Sequence, residues 1–379
     1  MPIGELLYIP KINISPNNII YYNEYIGVKR NGQHDNSRIN LELSKIKADI
    51  SKKAARRLYR AMDWMLLISK KNKAWNYRSQ RTFEFKLAMI TLTLPCEQLH
   101  SDLYIKKYLL NEFFTYLRKE YNIKNYIWKA EKQWNGNIHF HIVVDKFITI
   151  PDLKHYWNKI LNSHGYIKKY RENQQEWHKD GFKVRDNLIK FWSVQSQIKA
   201  YKEGVKTNWQ LPSSTTDIHS LRKIKNSRAY LAKYLTKNPE SGKMFRKEAK
   251  EYQHNNNLTE LSADHIVAIK EILSKKLHVE GNIWYISRSL SKLKSVNCVV
   301  ENEIENELRR MECEFSDKIL DLDRCRVLKF NIHEIFKYKF LNIFNKFKNY
   351  INELRAELYP VGEVQKNLIG LPLSIFDDF

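Results

Sequence analysis

Cysteine is scarce. The chain has four in 379 residues (Cys96, Cys298, Cys313 and Cys325), far apart and with no Cys-x-x-Cys, which leaves neither a zinc ribbon nor a disulfide framework. They read as ordinary thiols in a reducing compartment. Long apolar runs are also missing: the longest, Ala61 to Ile68, is short and broken by Asp63. The start, Met1-Pro2-Ile3-Gly4-Glu5-Leu6-Leu7, has no basic stretch followed by an apolar one. A soluble, intracellular protein with no membrane span is therefore expected. No Gly-x-x-x-x-Gly-Lys-Ser/Thr phosphate loop occurs, and no internal repeat. Acidic residues are outnumbered, 42 against 65 Lys and Arg, giving a formal net charge of +23 and a pI near 9.6. That excess exceeds what solubility requires and points to a polyanion such as nucleic acid, with a membrane surface as the weaker alternative.

A chain of this length can bury a sizeable core, as one large domain with appendages or as two domains. Residues 1 to 42 lack sustained periodicity and read as a loop or arm. Leu43, Ile46, Ile50, Ala54, Leu58, Ala61, Met65 and Ile68 then recur at steps of three or four, the spacing of a long amphipathic helix. On its basic face, Arg56 and Arg57 are candidate contacts to a DNA backbone; the plainer alternative is a solvated face. A buried strand is expected over Phe85 to Leu94, then a helix over residues 102–120 with a stripe of Leu103, Tyr108, Leu109, Phe113, Phe114 and Leu117. Two strands, Tyr126 to Gln133 and Asn137 to Asp145, flank a turn around Trp134-Asn135-Gly136. A helix from Pro151 to Gly165, a polar segment studded with aromatics up to Pro212, a helix from Ser220 to Lys237 and a strand over Asn282 to Ser287 follow. Beyond residue 299 the chain reads as helical, with a stripe of Ile335, Phe340, Ile343, Phe347, Ile351, Leu354 and Leu358. The pattern is α+β: a basic arm and helix over 1–80, a sheet domain over 81–298 and a helical region over 299–379.

Within this order, Ile138-His139-Phe140-His141-Ile142 places two imidazoles on one side of an apolar strand and the phenylalanine on the other. Two histidines rarely complete a site for a hard metal, so an oxygen ligand is expected on the neighbouring strand, from Glu131 or Gln133. Register decides. A two-residue turn at Asn135-Gly136 pairs Lys132 with His139 and puts Glu131 on the wrong face. A three-residue loop, Asn135-Gly136-Asn137, pairs Gln133 with His139 and Glu131 with His141, bringing them to one face. The odd loop, with Glu131 as third ligand, is the reading preferred here; otherwise the pair is two hydrogen-bonded histidines on a half-exposed strand.

Tyr230 and Tyr234 lie four apart, on one face of a helix, and Lys233 and Lys237 repeat that interval three residues after each tyrosine. With 12 His and 22 Tyr in the chain, chance supplies roughly 0.4 His-x-His pairs and about one Tyr-x-x-x-Tyr pair, but only about 0.04 tyrosine pairs with both lysines. A phenol with its pKa near about 10 is a weak nucleophile at neutral pH. A metal on the phosphate oxygens, with lysines to neutralise charge, would make phosphoryl transfer feasible. The alternative is a packing helix with its lysines in water. Arg222, Lys223 and Lys225 upstream would add phosphate contacts, the plainer alternative being a solvated run.

Taken together these motifs resemble the rolling-circle replication initiators of the HUH endonuclease superfamily, in particular the two-tyrosine initiators of small single-stranded DNA phages and some bacterial plasmids. The resemblance runs from Leu87 to about Leu290. Ile90-Thr91-Leu92-Thr93-Leu94 is similar to the family's first motif, Glu131 with His139-Phe140-His141 to its metal motif, and Tyr230 to Lys237 to its Y-x-A-K-Y-x-x-K motif. Gly281-Asn282-Ile283-Trp284-Tyr285-Ile286-Ser287 resembles a segment found after that motif in phage members. Thr216 to Ser220 resembles one placed before the tyrosine helix, where Asp217 or Ser220 would otherwise serve as a helix cap. The resemblance implies an antiparallel sheet with flanking helices and the His pair on a central strand. It also implies Mg²⁺ or Mn²⁺ and a nick in single-stranded origin DNA that leaves a 5′-phosphotyrosine and a free 3′-hydroxyl, with either tyrosine able to act first. Host helicase and polymerase would be partners, in the cytoplasm of a bacterial host. A two-tyrosine rolling-circle transposase would use the same residues. A mobilisation relaxase would usually add a third metal-binding histidine. From another class, a non-catalytic single-stranded DNA-binding protein would suit the many aromatic residues.

Overall fold

A computed structural model describes residues 8–25, 50–76, 80–190, 192–212, 215–221, 243–301, 305–306, 309–310, 313, 319–322, 325–329 and 342–358. The chain divides into two compact units, one of Met1–Asn40, Arg56–Lys70 and Ser287–Asn367, the other of Leu41–Ala55, Lys71–Ile286 and Leu368–Phe379. The fold is α+β, as the segment order predicts. Among the described residues no helix is long and apolar enough to cross a membrane.

In the first unit, Tyr8–Ser15 (β1) and Asn18–Tyr25 (β2) form an antiparallel hairpin across Pro16-Asn17, with Ile14 opposite Ile19. Ile12, Ile14 and Ile19 are buried. This part of the expected loop or arm is thus a strand pair, in which buried Ile12 and Ile14 alternate with Lys11, Asn13 and Ser15 at the strand period. Helix α1 covers Lys52–Ile68 and buries Leu58, Ala61, Met65 and Ile68 as expected. It starts later than the apolar spacing suggests, because the Ser51 hydroxyl accepts a hydrogen bond from the Ala54 N–H and caps it. Residues 43–49 of the expected helix lie outside the described residues.

The second unit begins with a ribbon of Asn72–Asn76 (β3) and Arg81–Phe85 (β4), followed by Leu87–Leu92 (β5). A helical run then proceeds through Asp102–Tyr104 (α2), a π-helical stretch at Ile105–Leu110, and Asn111–Tyr121 (α3). The wider π turn rotates the later part of the run relative to an ideal helix. Leu103 and Tyr108, expected on the buried stripe, are consequently exposed at 50% and 45%, while Ile105, Leu109, Leu110, Phe113, Phe114 and Leu117 are buried. Tyr126–Lys132 (β6) and Ile138–Val144 (β7) form the predicted hairpin. In Ile150–Ser163 (α4) the Thr149 hydroxyl accepts from the Asp152 N–H and Pro151 sits in the first turn. Tyr166–Trp177 (α5) and Val194–Lys206 (α6) occupy the stretch read as a polar segment.

Thr216–Leu221 (β8) is a strand, so Asp217 and Ser220 cap no helix and the expected helix does not include residues 220–221. Residues 222–242 lie outside the described residues. Lys243–Asn255 (α7), Ala263–Lys276 (α8) and Trp284–Ile286 (β9) complete the unit. Its sheet has the order β8-β5-β7-β6-β9, antiparallel throughout, with β7 in the centre. One face packs Ile90, Leu92, Phe140 and Ile142 into a core with Phe113, Leu117, Leu153 and Trp157.

After that unit the chain returns to the first, adding Val296–Val299 (β10), Ile319–Leu322 (β11) and Cys325–Lys329 (β12) to a sheet ordered β10-β1-β2-β12-β11. The region beyond residue 299 is therefore not helical throughout, since runs of four and five residues are too short to declare a period. Asn342–Leu358 (α9) is a helix over the later part of the predicted stripe, burying Phe347, Ile351 and Leu358, with Phe347 against Trp64 of α1 at 6.0 Å between ring centroids, while Ile335 and Phe340 lie outside the described residues.

A buried polar network ties α2 to the metal-motif hairpin. The Asp102 carboxylate accepts hydrogen bonds from Lys132 Nζ (2.7 Å), Gln98 Nε2 (2.7 Å) and the Glu280 N–H (3.0 Å), while Gln98 Oε1 accepts from the Ile138 N–H at 2.8 Å. Burial pushes the Asp102 carboxyl upward, but these donors outweigh it and hold it below the usual carboxylate range. Its folded pKa is thus lower than its unfolded one, so its contribution to stability is present above about pH 4 and is lost as pH falls through the folded value. Asp102→Ala, which leaves the largely shielded Lys132 ammonium without its carboxylate, should cost about 3 kcal/mol in urea unfolding at pH 7 and flatten the acid limb of the stability curve. An unchanged midpoint at pH 7 would contradict this.

Candidate metal centre

The β6–β7 hairpin sets the site. Glu131 pairs with His139 and Lys129 with His141. Gln133 N–H donates to the Asn137 carbonyl at 2.8 Å, so the loop is Trp134-Asn135-Gly136. It has the expected three residues but sits one position earlier than Asn135-Gly136-Asn137, and Glu131 lies opposite His139 instead of His141. The parity is the one that matters: an odd loop keeps Glu131 on the histidine face. Local chemistry explains the placement. Gly136 takes φ +82°, a left-handed conformation open to glycine. The Asn135 side-chain carbonyl accepts from the Asn137 N–H at 3.1 Å, closing the turn.

Glu131 Oε1 lies 2.7 Å from His139 Nε2 and 3.1 Å from His141 Nε2. The three ligand atoms fall within 4.8 Å of one another. Two imidazole nitrogens and a carboxylate oxygen converging from one sheet face fit a divalent cation and leave coordination positions for phosphate oxygens or water. Burial pushes the Glu131 carboxyl up, but hydrogen bonds from both histidines and their charge hold it well below the usual carboxylate range. Burial lowers His141, favouring the neutral imidazole that a metal requires. The His141 Nδ1 lies 3.3 Å from Thr91 Oγ1, whose hydroxyl can fix the ring so that Nε2 faces the centre.

Of the site residues read from the sequence, the structure brings together Glu131, His139 and His141. Arg56 and Arg57 are exposed on α1 in the first unit. Tyr230, Lys233, Tyr234, Lys237, Arg222, Lys223 and Lys225 lie outside the described residues. Sequence reasoning missed Lys129, whose buried ammonium stands 3.6 Å from Glu131 Oε2. It is two residues before Glu131 on an expected strand, which is the signal that would have placed it on the same face. Trp134 was also missed: Lys247 and Lys276 lie 4.2 and 3.7 Å from its ring centroid, and it packs with the α7–α8 core of Ala249, Ile269, Leu273 and Leu277. The α7–α8 pair thereby grips the tip of the hairpin that carries the ligands.

Adding Mn²⁺ should raise the melting temperature of the protein. Glu131→Ala and His139→Ala should each weaken Mn²⁺ binding at least about tenfold in calorimetric titration. Because burial lowers His141, binding should persist to somewhat below the usual imidazole value of about 6.5 and fade as pH falls further and that ring takes up a proton. Equal affinity in wild type and His139→Ala would remove these residues from the centre.

Residues 87–239 match the model of the family described as replication-associated protein ORF2/G2P, a span that contains Thr91, Glu131, both histidines and both tyrosines. No curated protein and no solved structure matches the chain. Over that span the chain is similar to replication-associated proteins, which is consistent with a replication initiator that acts on DNA.

Proposed function

We propose that the chain is a metal-dependent, site-specific DNA nickase and strand transferase of the HUH type that initiates rolling-circle replication on single-stranded origin DNA. The observation that carries this reading is Glu131 Oε1 shared between two imidazole Nε2 atoms on and beside the central strand. It is joined to a match with replication-associated proteins that extends over Tyr230 to Lys237. A Mg²⁺ or Mn²⁺ ion held by Glu131, His139 and His141 would supply Lewis-acid polarisation of the scissile phosphate. The phenol oxygen of Tyr230 or Tyr234 attacks phosphorus. Its O–P bond forms as the bond to the 3′ oxygen breaks, and the phenolic proton is balanced by protonation of the leaving oxygen. The 5′ phosphate stays on the tyrosine. One ester replaces another, so no nucleoside triphosphate is consumed, and the second tyrosine can cut the regenerated origin while the first holds the end. Lys233 and Lys237 neutralise charge on the phosphate. Arg222, Lys223 and Lys225, with Arg56 and Arg57 on α1, hold backbone phosphates further along the strand. The free 3′-hydroxyl serves a host polymerase, and a host helicase opens the duplex.

The reading is tested with single-stranded origin oligonucleotides and Mn²⁺, resolving protein–DNA adducts. Wild type should form a covalent adduct and each single Tyr→Phe variant should retain some. Tyr230→Phe with Tyr234→Phe should form none, and His139→Ala should slow adduct formation at least about a hundredfold. An adduct persisting in the double variant would overturn the assignment. Tight, salt-sensitive binding with no adduct on any substrate would instead favour a non-catalytic binder.

A further inference from the structure

Between α4 and β8 the chain leaves the sheet and builds residues 166–212 largely around aromatic rings of their own. Trp209 stacks on His178 at 5.3 Å with an interplanar angle of 2°, beside Tyr201 and Phe182. Its ring lies over Gly204, where any Cβ would come within 2.0 Å of it. To reach that position the turn after α6 runs through left-handed conformations at Asn208 (φ +47°) and Trp209 (φ +55°). Backbone strain of this kind persists where the surroundings hold it. The loop between α5 and α6 is fixed by polar contacts. Buried Gln197 accepts a hydrogen bond from the Arg185 N–H at 2.9 Å and donates to the carbonyls of Arg185 (3.3 Å) and Trp192 (3.0 Å). The Arg185 guanidinium donates to Gln174 Oε1 at 3.2 Å.

What this scaffold displays is unusual for a solvent face. The segment supplies six of the fifteen exposed large apolar side chains among the described residues, including Trp177 (39%) and Trp192 (37%). It also carries ten lysines and arginines against five acidic residues. The two properties coincide at Trp177, whose ring has Lys183 Nζ at 4.7 Å and the Arg185 guanidinium carbon at 5.1 Å from its centroid. Lysine is depleted from the core of interfaces between proteins, yet a lysine lies against this ring in a segment with ten basic residues. A surface of exposed indoles with cations against them instead suits a ligand that alternates flat apolar rings with anions.

We propose that residues 166–212 form a second single-stranded DNA-binding surface, distinct from the metal centre, on which bases stack against Trp177 and Trp192 while Lys183 and Arg185 take the phosphates. It would grip the strand away from the scissile phosphate. This rests on the nicking reading only in that both need a single-stranded DNA partner.

The probe is a fluorescent oligothymidylate of about twenty nucleotides, long enough for one such surface, titrated with full-length protein at several salt concentrations without metal. Trp177→Ala should weaken binding about tenfold, and Trp177→Phe, which keeps a ring, should recover most of it. Lys183→Ala with Arg185→Ala should flatten the slope of log affinity against log salt by about 1 to 1.5. Near-ultraviolet circular dichroism identifies any variant that has lost the aromatic packing. Wild-type affinity and salt slope in all three variants would overturn this surface alone. Loss of self-association in Trp177→Ala with DNA binding intact would reassign it to contacts between copies of the chain, and also overturn it. Failure of the wild type to bind the oligonucleotide would bring down the nicking reading as well.

Discussion

The candidate metal centre, and the nicking chemistry proposed for it, depend on the pairing register of one hairpin. With a three-residue loop between β6 and β7, Glu131, His139 and His141 face one side, and a single carboxylate oxygen lies within hydrogen-bond distance of two imidazoles. A slip of one residue would send Glu131 into the apolar core and leave the histidines without an oxygen donor. The sequence holds that register at several points. Gly136 and Asn135 fit the turn, Trp134 is held between two lysines of α7 and α8, and Ile138 and Lys132 are tied through Gln98 to Asp102. These are independent restraints on a short loop, which is what a site sensitive to parity requires.

The same hairpin explains how a polar cluster survives inside a sheet. Phe140 and Ile142 face the core with Phe113 and Trp157, anchoring β7 from one side. On the other, cross-strand neighbours align Asp217, Thr91, His141, Lys129 and Trp284 in one row. Within this partly desolvated row, electrostatic interactions are stronger than in water. The carboxylate of Glu131 stays ionised because hydrogen bonds from both histidines outweigh its burial, and burial lowers His141 toward its neutral form. A carboxylate held ionised and an imidazole held neutral are both in the protonation state that a divalent cation needs.

The sequence made the long, periodic elements readable: β5, the β6–β7 hairpin, α4 and the later part of α9 all follow apolar patterns that one face of burial imposes. Elements of four or five residues, such as β10, β11 and β12, contain too few side chains to show a period, and the pairing of β10 with β1 and of β12 with β2 joins residues some three hundred positions apart. The π turn at Ile105–Leu110 misled the stripe because a helical wheel assumes a constant turn. At the candidate site the grouping of Glu131, His139 and His141 on one face and the parity of the loop were legible, since motif spacing and strand alternation determine both. The exact pairing was not, because it depends on whether Trp134 belongs to the loop, and Trp134 is held there by helices more than a hundred residues later. Strand alternation put Lys129 on the face of Glu131, whereas the contact of Thr91 with His141 comes from cross-strand position, which only the assembled sheet defines.

The central claim is that Glu131, His139 and His141 jointly bind one divalent cation. Pulsed electron paramagnetic resonance of Mn²⁺ bound to the protein tests it most directly, by counting nitrogens coupled to the metal. Two imidazole nitrogens in the wild type, falling to one in His139→Ala, is the result the account predicts. A spectrum with water oxygens alone, the same in both proteins, would contradict it.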